Sequence, residues 1–330
     1  MANDRHVLIT GGAGYIGSHT TLALNAAGYT TIVYDDFSTG HRDASFGNHL
    51  VEGRLDDTDG LAEALRIHDV GSVLHFAALI EAGQSVVTPL PFFRNNMGGS
   101  VSLLEAMERA GTKRIVLSST AAVYGNGVEG AAMSEDLPRQ PINPYGESKA
   151  MVETVLEACV AAHGLQAMAL RYFNASGADA DGRTGERHDP ETHLIPLVIQ
   201  AAMGLRSGIT VNGTDYDTPD GTCIRDYIHV TDLARGHVAA LEYLLKRDAP
   251  GFTAVNLGTG EGRSVREVIA AVAKVSGVTF PVVEAARRAG DPATLVADPS
   301  AARARLGWRA EHSDLERIVA DAWRFAQSRL

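Results

Sequence analysis

A glycine-rich turn set between a β-branched run and a helical pattern leaves this chain few folds to choose from. Gly12, Gly14 and Gly17 spell GxGxxG, and Gly11, Gly14 and Gly17 spell GxxGxxG. The turn follows the apolar run 6–10 directly and opens a stretch with Ile16, Thr20, Ala23, Leu24 and Ala27 on one helical face, ended by Gly28. Glycines at such a place let the backbone turn sharply and approach a pyrophosphate, whose charge is met by the helix N-terminus. Asp35 stands 18 residues past Gly17, at the end of the second apolar run, where a carboxylate would bind a ribose 2′-hydroxyl. Asp36 adds a second negative charge that disfavours a 2′-phosphate. The glycine spelling alone could mark a tight turn. Strand, loop, helix and acid in this order point to NAD rather than NADP.

The same unit of short strand, turn and helix recurs through the first half. Candidate strands are 6–10, 31–35, 50–52, 72–75, 114–118 and 166–171. Strands alternating with helices imply a parallel sheet covered on both faces, an α/β fold of the Rossmann-type doubly wound class. Past Gly177 the pattern turns irregular, with a glycine- and charge-rich stretch over 178–192. Two later segments, 226–230 and 254–257, read as returns to the sheet, the first leading into a helix to Leu245. Ser264 and Glu267 form a capping box for a helix to about Val275. The expected division is residues 1–174 with about 226–260 as the NAD-binding domain. About 175–225 with 261–330 would make a smaller α/β substrate-binding domain.

Composition narrows the function classes. The 330 residues suit about two domains, and 29 basic against 40 acidic residues leave a net charge of −11. A surface that acidic repels a phosphate backbone, so nucleic acid is not an expected partner. No run approaches the ~18 apolar residues of a membrane span, and Val7-Leu8-Ile9 is too short a core for a secretory signal. Cys159 and Cys223 make neither a disulfide framework nor a CxxC pair, which fits a reducing cytoplasm.

Asn143-Pro144-Tyr145-Gly146-Glu147-Ser148-Lys149 reads as a helix start, with Asn143 as N-cap and Pro144 at the first position. Tyr145 and Lys149, four apart, share a helical face. A free tyrosine, with pKa about 10, is only about 0.1% ionised at neutral pH. An ammonium within about 4–6 Å, together with a positive nicotinamide ring, would favour the phenolate and make Tyr145 a base for a sugar hydroxyl. YxxxK by itself is common on exposed helices. Here it follows the hydroxyl run Ser118-Ser119-Thr120 at the end of the fifth strand, in order with the glycine loop and Asp35.

These segments make the chain resemble the extended short-chain dehydrogenase/reductase superfamily and, within it, the UDP-glucose 4-epimerase family. The resemblance rests on 10–20 (TGGAGYIGSHT), 75–78, 118–125 (SSTAAVYG), 144–149, 170–174 (LRYFN), 221–230 (GTCIRDYIHV) and 256–258. It implies a tightly held NAD, contacted by Gly11, Gly14, Tyr15, Ile16, Gly17, Asp35, Asp36, Leu55, Phe76, Ala77, Ala78, Asn95, Tyr145, Lys149 and Phe173. It implies a catalytic set of Tyr145, Lys149 and Thr120. A UDP-sugar would lie against Thr120, Asn174, His193, Leu194, the run Thr210-Val211-Asn212, Arg225, Arg288, Asp291 and Leu295. Tyr145 would deprotonate the 4-hydroxyl while NAD takes the C4 hydride, and the 4-ketose would turn over before hydride returns to its other face. The resemblance also implies a homodimer paired through helices near 95–110 and 148–162. Their apolar residues, among them Val101, Leu104, Met107, Val152, Val155, Leu156 and Cys159, suit sheet packing equally well.

Four positions depart from the family pattern. Arg54 stands where many members carry an aspartate against adenine, Ile80 replaces a lysine, and His193 replaces an asparagine near the phosphates. Leu295 stands where some members carry a bulky tyrosine, which implies some turnover of UDP-N-acetylglucosamine and UDP-N-acetylgalactosamine. Arg225 and Arg288 suit a diphosphate on an acidic protein, although Asp226 or Asp291 could simply pair with them.

Other readings weaken on particular residues. A nucleotide-sugar 4,6-dehydratase needs an Asp-Glu pair after Thr120, where this chain has Ala121-Ala122. UDP-pentose or UDP-uronate 4-epimerases are closer rivals, and a non-catalytic NAD-sensing protein would not need Tyr145 and Lys149. The run His188-Asp189-Pro190-Glu191-Thr192-His193 has metal-type side chains without helical spacing and reads as a substrate-side loop, with no metal expected. Asp56, Asp57 and Asp59 read as a helix cap, His75 as a satisfied strand-end residue. GxSxG and GxxxxGK[ST] are lacking.

Overall fold

The computed structural model describes residues 3–127, 131–288 and 291–329. Six strands come first: β1 (Asn3–Thr10), β2 (Thr30–Asp35), β3 (His49–Glu52), β4 (Val70–His75), β5 (Arg114–Thr120) and β6 (Gln166–Tyr172). Short strands β7 (Asn174–Ser176), β8 (Ile209–Asn212), β9 (Ile224–Arg225) and β10 (Tyr227–His229) follow, then the longer β11 (Gly251–Leu257). The last are β12 (Arg263–Ser264), β13 (Val282–Ala285) and β14 (Thr294–Leu295). The helices are α1 (Tyr15–Ala26), α2 (Thr58–Ile67), α3 (Ala82–Val87), α4 (Pro89–Phe92), α5 (Gly99–Ala110) and α6 (Pro144–His163). Beyond them lie α7 (Leu194–Ala202), α8 (Val230–Leu245), α9 (Val265–Ser276), α10 (Ser300–Leu306) and α11 (Leu315–Gln327).

Seven strands make one parallel sheet in the order β11-β6-β5-β4-β1-β2-β3. Its strands read as continuous apolar runs because both faces are covered. Val7 and Ile9 join Leu74, Val116 and Leu170 beneath α1 and α8. Leu8, between them in sequence, faces the other way and packs with Ile115 and Leu117 beneath α2, α5 and α6. This is the doubly wound Rossmann-type α/β fold expected from the strand-helix alternation. A separate apolar cluster joins α7, α9 and α11 through Ile195, Val198, Val272 and Ile318.

The segment 254–257 joins the sheet as the end of β11, in register with β6. The segment 226–230 does not. Its β10 pairs instead with β7 in a two-stranded ribbon, because the place beside β6 is already taken by β11. Leu104, Met107, Val152 and Leu156 are buried against the sheet, so these side chains are core and not a pairing surface.

The chain runs outward through β1, β2 and β3, then crosses back to place β4 on the other side of β1. At such a reversal the loops leaving two neighbouring strands part in opposite directions and open a crevice at their carboxyl ends.

Candidate active site

A cleft of about 370 Å³ fills that crevice, lined by the glycine loop after β1, the segment 76–81 after β4, and residues from beyond β2 and β3. The Phe76 and Ala77 amides donate to the Thr10 carbonyl at 2.9 and 3.1 Å, drawing the second segment across the first. Gly11, at φ +70°, has no room for more: a Cβ would sit 2.6 Å from the Ala77 nitrogen. A Cβ on Gly17 would overlap the Gly11 carbonyl, so this glycine lets α1 start hard against the loop. Gly14 is the N-cap of α1; it supplies no side-chain cap, and the first turn holds no acid. Amides of that turn, at Tyr15, Ile16 and Gly17, are therefore free to meet an anion from the cleft.

Asp35 ends β2 on the cleft wall, its oxygens accepting from the Ala13 and Phe37 amides at 2.9 Å each. Burial raises its pKa and the two amides oppose the rise. Asp36, Leu55, Ala78 and Asn95 line the same cleft. A glycine cradle, an uncapped helix start and a ribose-side carboxylate in one crevice fit a dinucleotide. Arg54 stands at the rim, its exposed guanidinium paired with Asp56 at 2.9 Å. Asp57 caps α2 through the Gly60 amide, as expected.

The catalytic candidates lie just past the cleft's inner wall, where Ser118 and Tyr172 share a hydrogen bond between their hydroxyls. Asn143 caps α6 by accepting from the Gly146 amide at 2.8 Å, and Pro144 opens the helix. That start carries Tyr145 and, one turn on, Lys149. The Thr120 oxygen accepts from the Ala122 amide at 3.1 Å, and the Thr120 hydroxyl favours the Tyr145 phenolate. Burial and the Glu81 charge outweigh that effect and raise the Tyr145 pKa. The expected depression by Lys149 is not found. The Lys149 Nζ donates at 2.9 Å to the Ser118 carbonyl, and burial lowers its pKa to about 8.

The positioning framework is more extensive than the sequence suggested. Glu153, one turn beyond Lys149 and buried, accepts from Ser119 Oγ at 2.6 Å and from Arg171 Nε at 3.0 Å and Nη2 at 2.5 Å. A π-helical turn, Phe93–Gly98, turns Asn95 to the cleft and Asn96 away from it. The Asn96 side chain bonds both the amide and the carbonyl of Leu79, and donates to Ser148 Oγ at 3.0 Å. His75 bonds Thr10 and Ser100, and burial lowers its pKa to about 3, so it is the satisfied residue expected. Phe173 joins β6 to β7, next to Tyr172.

The substrate-side candidates fall into groups. The β9–β14 register sets Leu295 beside Arg225, which pairs with Asp291. Thr210, Val211 and Asn212 form β8; with the Asn212 amide oxygen turned toward it, Arg288 donates at 3.1 and 3.3 Å. Asn174 opens β7 and its amide donates to the Asp226 carbonyl at 3.0 Å. His193 precedes Leu194 at the start of α7, its ring held between Glu186 at 2.8 Å and Glu191 at 3.1 Å, whose charges raise its pKa to about 10. Sequence reasoning missed Thr184, Gly185, Arg187 and His188, which close the cleft from the loop beyond Gly177. Arg187 reaches Asp43, 144 residues away, at 2.8 and 3.0 Å, a pairing with no short-range signal.

Residues 7–258 match the NAD dependent epimerase/dehydratase family. The chain belongs to that family. Among its relatives is a UDP-glucose 4-epimerase of Rhizobium leguminosarum bv. trifolii, 49% identical over 317 residues, 96% of either chain. A crystal structure of UDP-glucose 4-epimerase from Brucella ovis in complex with NAD is 48% identical. It superposes with a TM-score of 0.93 over 97% of this chain and 98% of its own. The UDP-glucose-4-epimerase of Stenotrophomonas maltophila, with bound NAD and formylated UDP-arabinopyranose, is 40% identical, with a TM-score of 0.93 over 98% and 99%. Membership in this NAD-dependent epimerase/dehydratase family agrees with a cleft built for a dinucleotide.

Proposed function

We propose that the protein interconverts UDP-glucose and UDP-galactose through a transient 4-ketose, with NAD as resident cofactor. The observation that carries the reading is the capped start of α6, which bears Tyr145 and Lys149 and is tied by Lys149 to Ser118 on the wall of a dinucleotide-shaped cleft. The full-length likeness to UDP-glucose 4-epimerases supports it. When bound, NAD⁺ supplies a cationic ring that takes up and gives back the C4 hydride.

Tyr145, whose phenolate that cationic ring would favour against the burial that raises its pKa, takes the 4-hydroxyl proton and later returns it, while Thr120 donates a hydrogen bond toward O4. Lys149 uses one of its three donors on Ser118, leaving two for the cofactor ribose. Arg225 and Arg288, with Asn174, Asn212, His193 and Leu194, grip the nucleoside diphosphate, so that the ketose can turn about its link to the phosphate. Asp291 orients Arg225 for this grip. In this reading residues 1–174 with about 226–260 carry the cofactor, and the rest carry the UDP-sugar. Ala121 and Ala122, in a 3-10 turn after Thr120, offer no acid–base pair for dehydration.

Leu295, beside Arg225 and smaller than a tyrosine, supports a side activity on the N-acetylated UDP-hexosamines. The protein is proposed to act in the cytoplasm as a homodimer. No helix among the described residues is long and apolar enough to cross a membrane.

The test is to incubate purified protein with UDP-galactose, without added NAD, and to look for UDP-glucose. Product without net release of NADH is expected. Net NADH production, loss of water from the sugar, or no turnover of any UDP-sugar would overturn the reading.

A further inference from the structure

Residues 185–194 bring together four donor side chains, of which the proposed reaction uses only His193, at the diphosphate. One carboxylate oxygen each from Glu186 and Glu191, and one ring nitrogen each from His188 and His193, lie within 4.8 Å of one another. His193 Nδ1 is 2.8 Å from Glu186 Oε1 and 3.1 Å from Glu191 Oε1. His188 Nδ1 is 3.2 Å from Glu186 Oε1 and 4.0 Å from Glu191 Oε2. In a tetrahedral site with bonds of about 2.0–2.1 Å, donor atoms stand roughly 3.4 Å apart; the two histidine nitrogens lie near that spacing from Glu186 Oε1, and Glu191, which meets His193 through Oε1 and His188 through Oε2, would turn to present one oxygen to both.

Two details set the cluster apart from a solvated group of charges. The carboxylates are almost wholly withdrawn from water, with side chains 7% and 6% exposed. His188 Nδ1 is buried and has no hydrogen-bond partner, since it meets Glu186 at a bonding distance but off the line of a hydrogen bond. A buried polar atom without a partner is costly, and the cluster itself is the nearest place from which one could come. Glu191 Oε1 is also held in place, accepting from the Thr192 and His193 amides at 2.7 and 2.8 Å.

We infer that Glu186, His188, Glu191 and His193 form a binding site for one divalent transition-metal ion of the zinc type. Two imidazoles and two carboxylates favour such an ion over calcium or magnesium, which prefer oxygen donors alone. The ion displaces the proton that the two carboxylates hold on His193, and their two negative charges then balance its two positive ones. The ion would fasten the loop at both ends: Thr184, Gly185, Arg187 and His188 line the cofactor cleft, and Leu194 begins α7. The site needs no particular reaction, so its test stands apart from that of the epimerase reading.

Untagged protein, dialysed against a chelator and then freed of it, is titrated with Co²⁺ near neutral pH. One equivalent is expected to produce the intense visible bands of tetrahedral cobalt, to raise the unfolding midpoint, and to be displaced by one equivalent of Zn²⁺. In His188→Gln the bands should vanish and Zn²⁺ affinity should fall at least about tenfold. Because His188 Nδ1 makes no hydrogen bond, the metal-free variant should lose only the packing of its ring on Tyr15 and His193 and remain folded, read by its own unfolding midpoint. Glu186→Gln, if it folds, should lose the bands as well. Absence of the bands in the parent protein, or bands of equal strength in His188→Gln, would show a charge-paired cluster only and overturn the site.

Discussion

The Lys149 ammonium donates to the Ser118 carbonyl at 2.9 Å, tying the helix that presents Tyr145 to the strand that presents Thr120. The bond holds geometry, but it leaves a cation in a buried place, and its pKa falls from 10.5 to about 8. The folded state thus binds this proton more weakly than the unfolded state. Below about pH 8 both states carry it, and the penalty is on the order of 3 kcal/mol. Between about 8 and 10.5 only the unfolded state keeps it, so the penalty shrinks as pH rises. Lys149→Met should therefore be more stable than the parent at neutral pH, by about 1–3 kcal/mol, with the gap closing toward pH 10. Denaturant unfolding of both proteins across that range checks it. Turnover of UDP-galactose should be lost throughout.

Tyr145→Phe removes the phenol that the Thr120 hydroxyl influences and leaves the cleft lining untouched. The turnover number for UDP-galactose should fall about 10²–10⁴-fold, the usual contribution of a positioned acid–base group. UDP affinity by calorimetry should change little. A variant that turns over at the parent rate would show that another group moves the proton.

What the sequence made legible was what lies close together along it. The glycine loop, Asp35 and the capped YxxxK helix are local patterns, and the structure places all of them around one crevice. The misplacement of 226–230 has a different origin: a short apolar run before a helix looks the same in a central sheet and in a ribbon. Only the pairing of β11 with β6 decides between them. The upward shift of Tyr145 was equally hidden. Helical spacing puts Lys149 on the same face, but it cannot show that Ser118 takes the ammonium, or that Glu81 adds charge from another segment. Arg187, His188 and Asn96 serve the cleft through contacts between distant stretches, and no residue pattern encodes those.

Gly17→Ala tests the tight start of α1. The added methyl would overlap the Gly11 carbonyl and press on the Gly12 Cα, both backbone atoms that cannot swing aside. Overpacking of this kind costs about 1–3 kcal/mol. The purified variant should carry little NAD, measured by its release on denaturation, and should unfold at lower denaturant. Gly28→Ala, where a Cβ meets no atom within 4 Å although φ is +81°, should lose some stability and keep its cofactor.

Arg171 and Glu153 form a buried pair that also holds Ser119, the neighbour of Thr120. Removing one partner leaves the other charge buried without compensation, at a cost of about 3–5 kcal/mol. Arg171→Met should show most of that loss, whereas the double variant Arg171→Met with Glu153→Leu should recover a large part of it. Unfolding midpoints of the single and double variants read the difference. A double variant no more stable than the single one would place the energy in Ser119 and Arg139, the remaining partners of Glu153.

Leu295 tests the proposed breadth of substrate. It is half-buried beside Arg225, and its side chain is shorter than the tyrosine that some family members carry there. A ring and hydroxyl at this position would take the room that an N-acetyl group needs, while the smaller 2-hydroxyl would still fit. Leu295→Tyr should therefore lower kcat/KM for UDP-N-acetylglucosamine at least about tenfold, a little over 1 kcal/mol of discrimination, and leave UDP-galactose within about twofold. Parallel assays on the two sugars decide the matter. Equal losses on both would mean that the tyrosine disturbs Arg225 and not the sugar. Failure of the parent protein to turn over any N-acetylated sugar would remove Leu295 from the specificity argument.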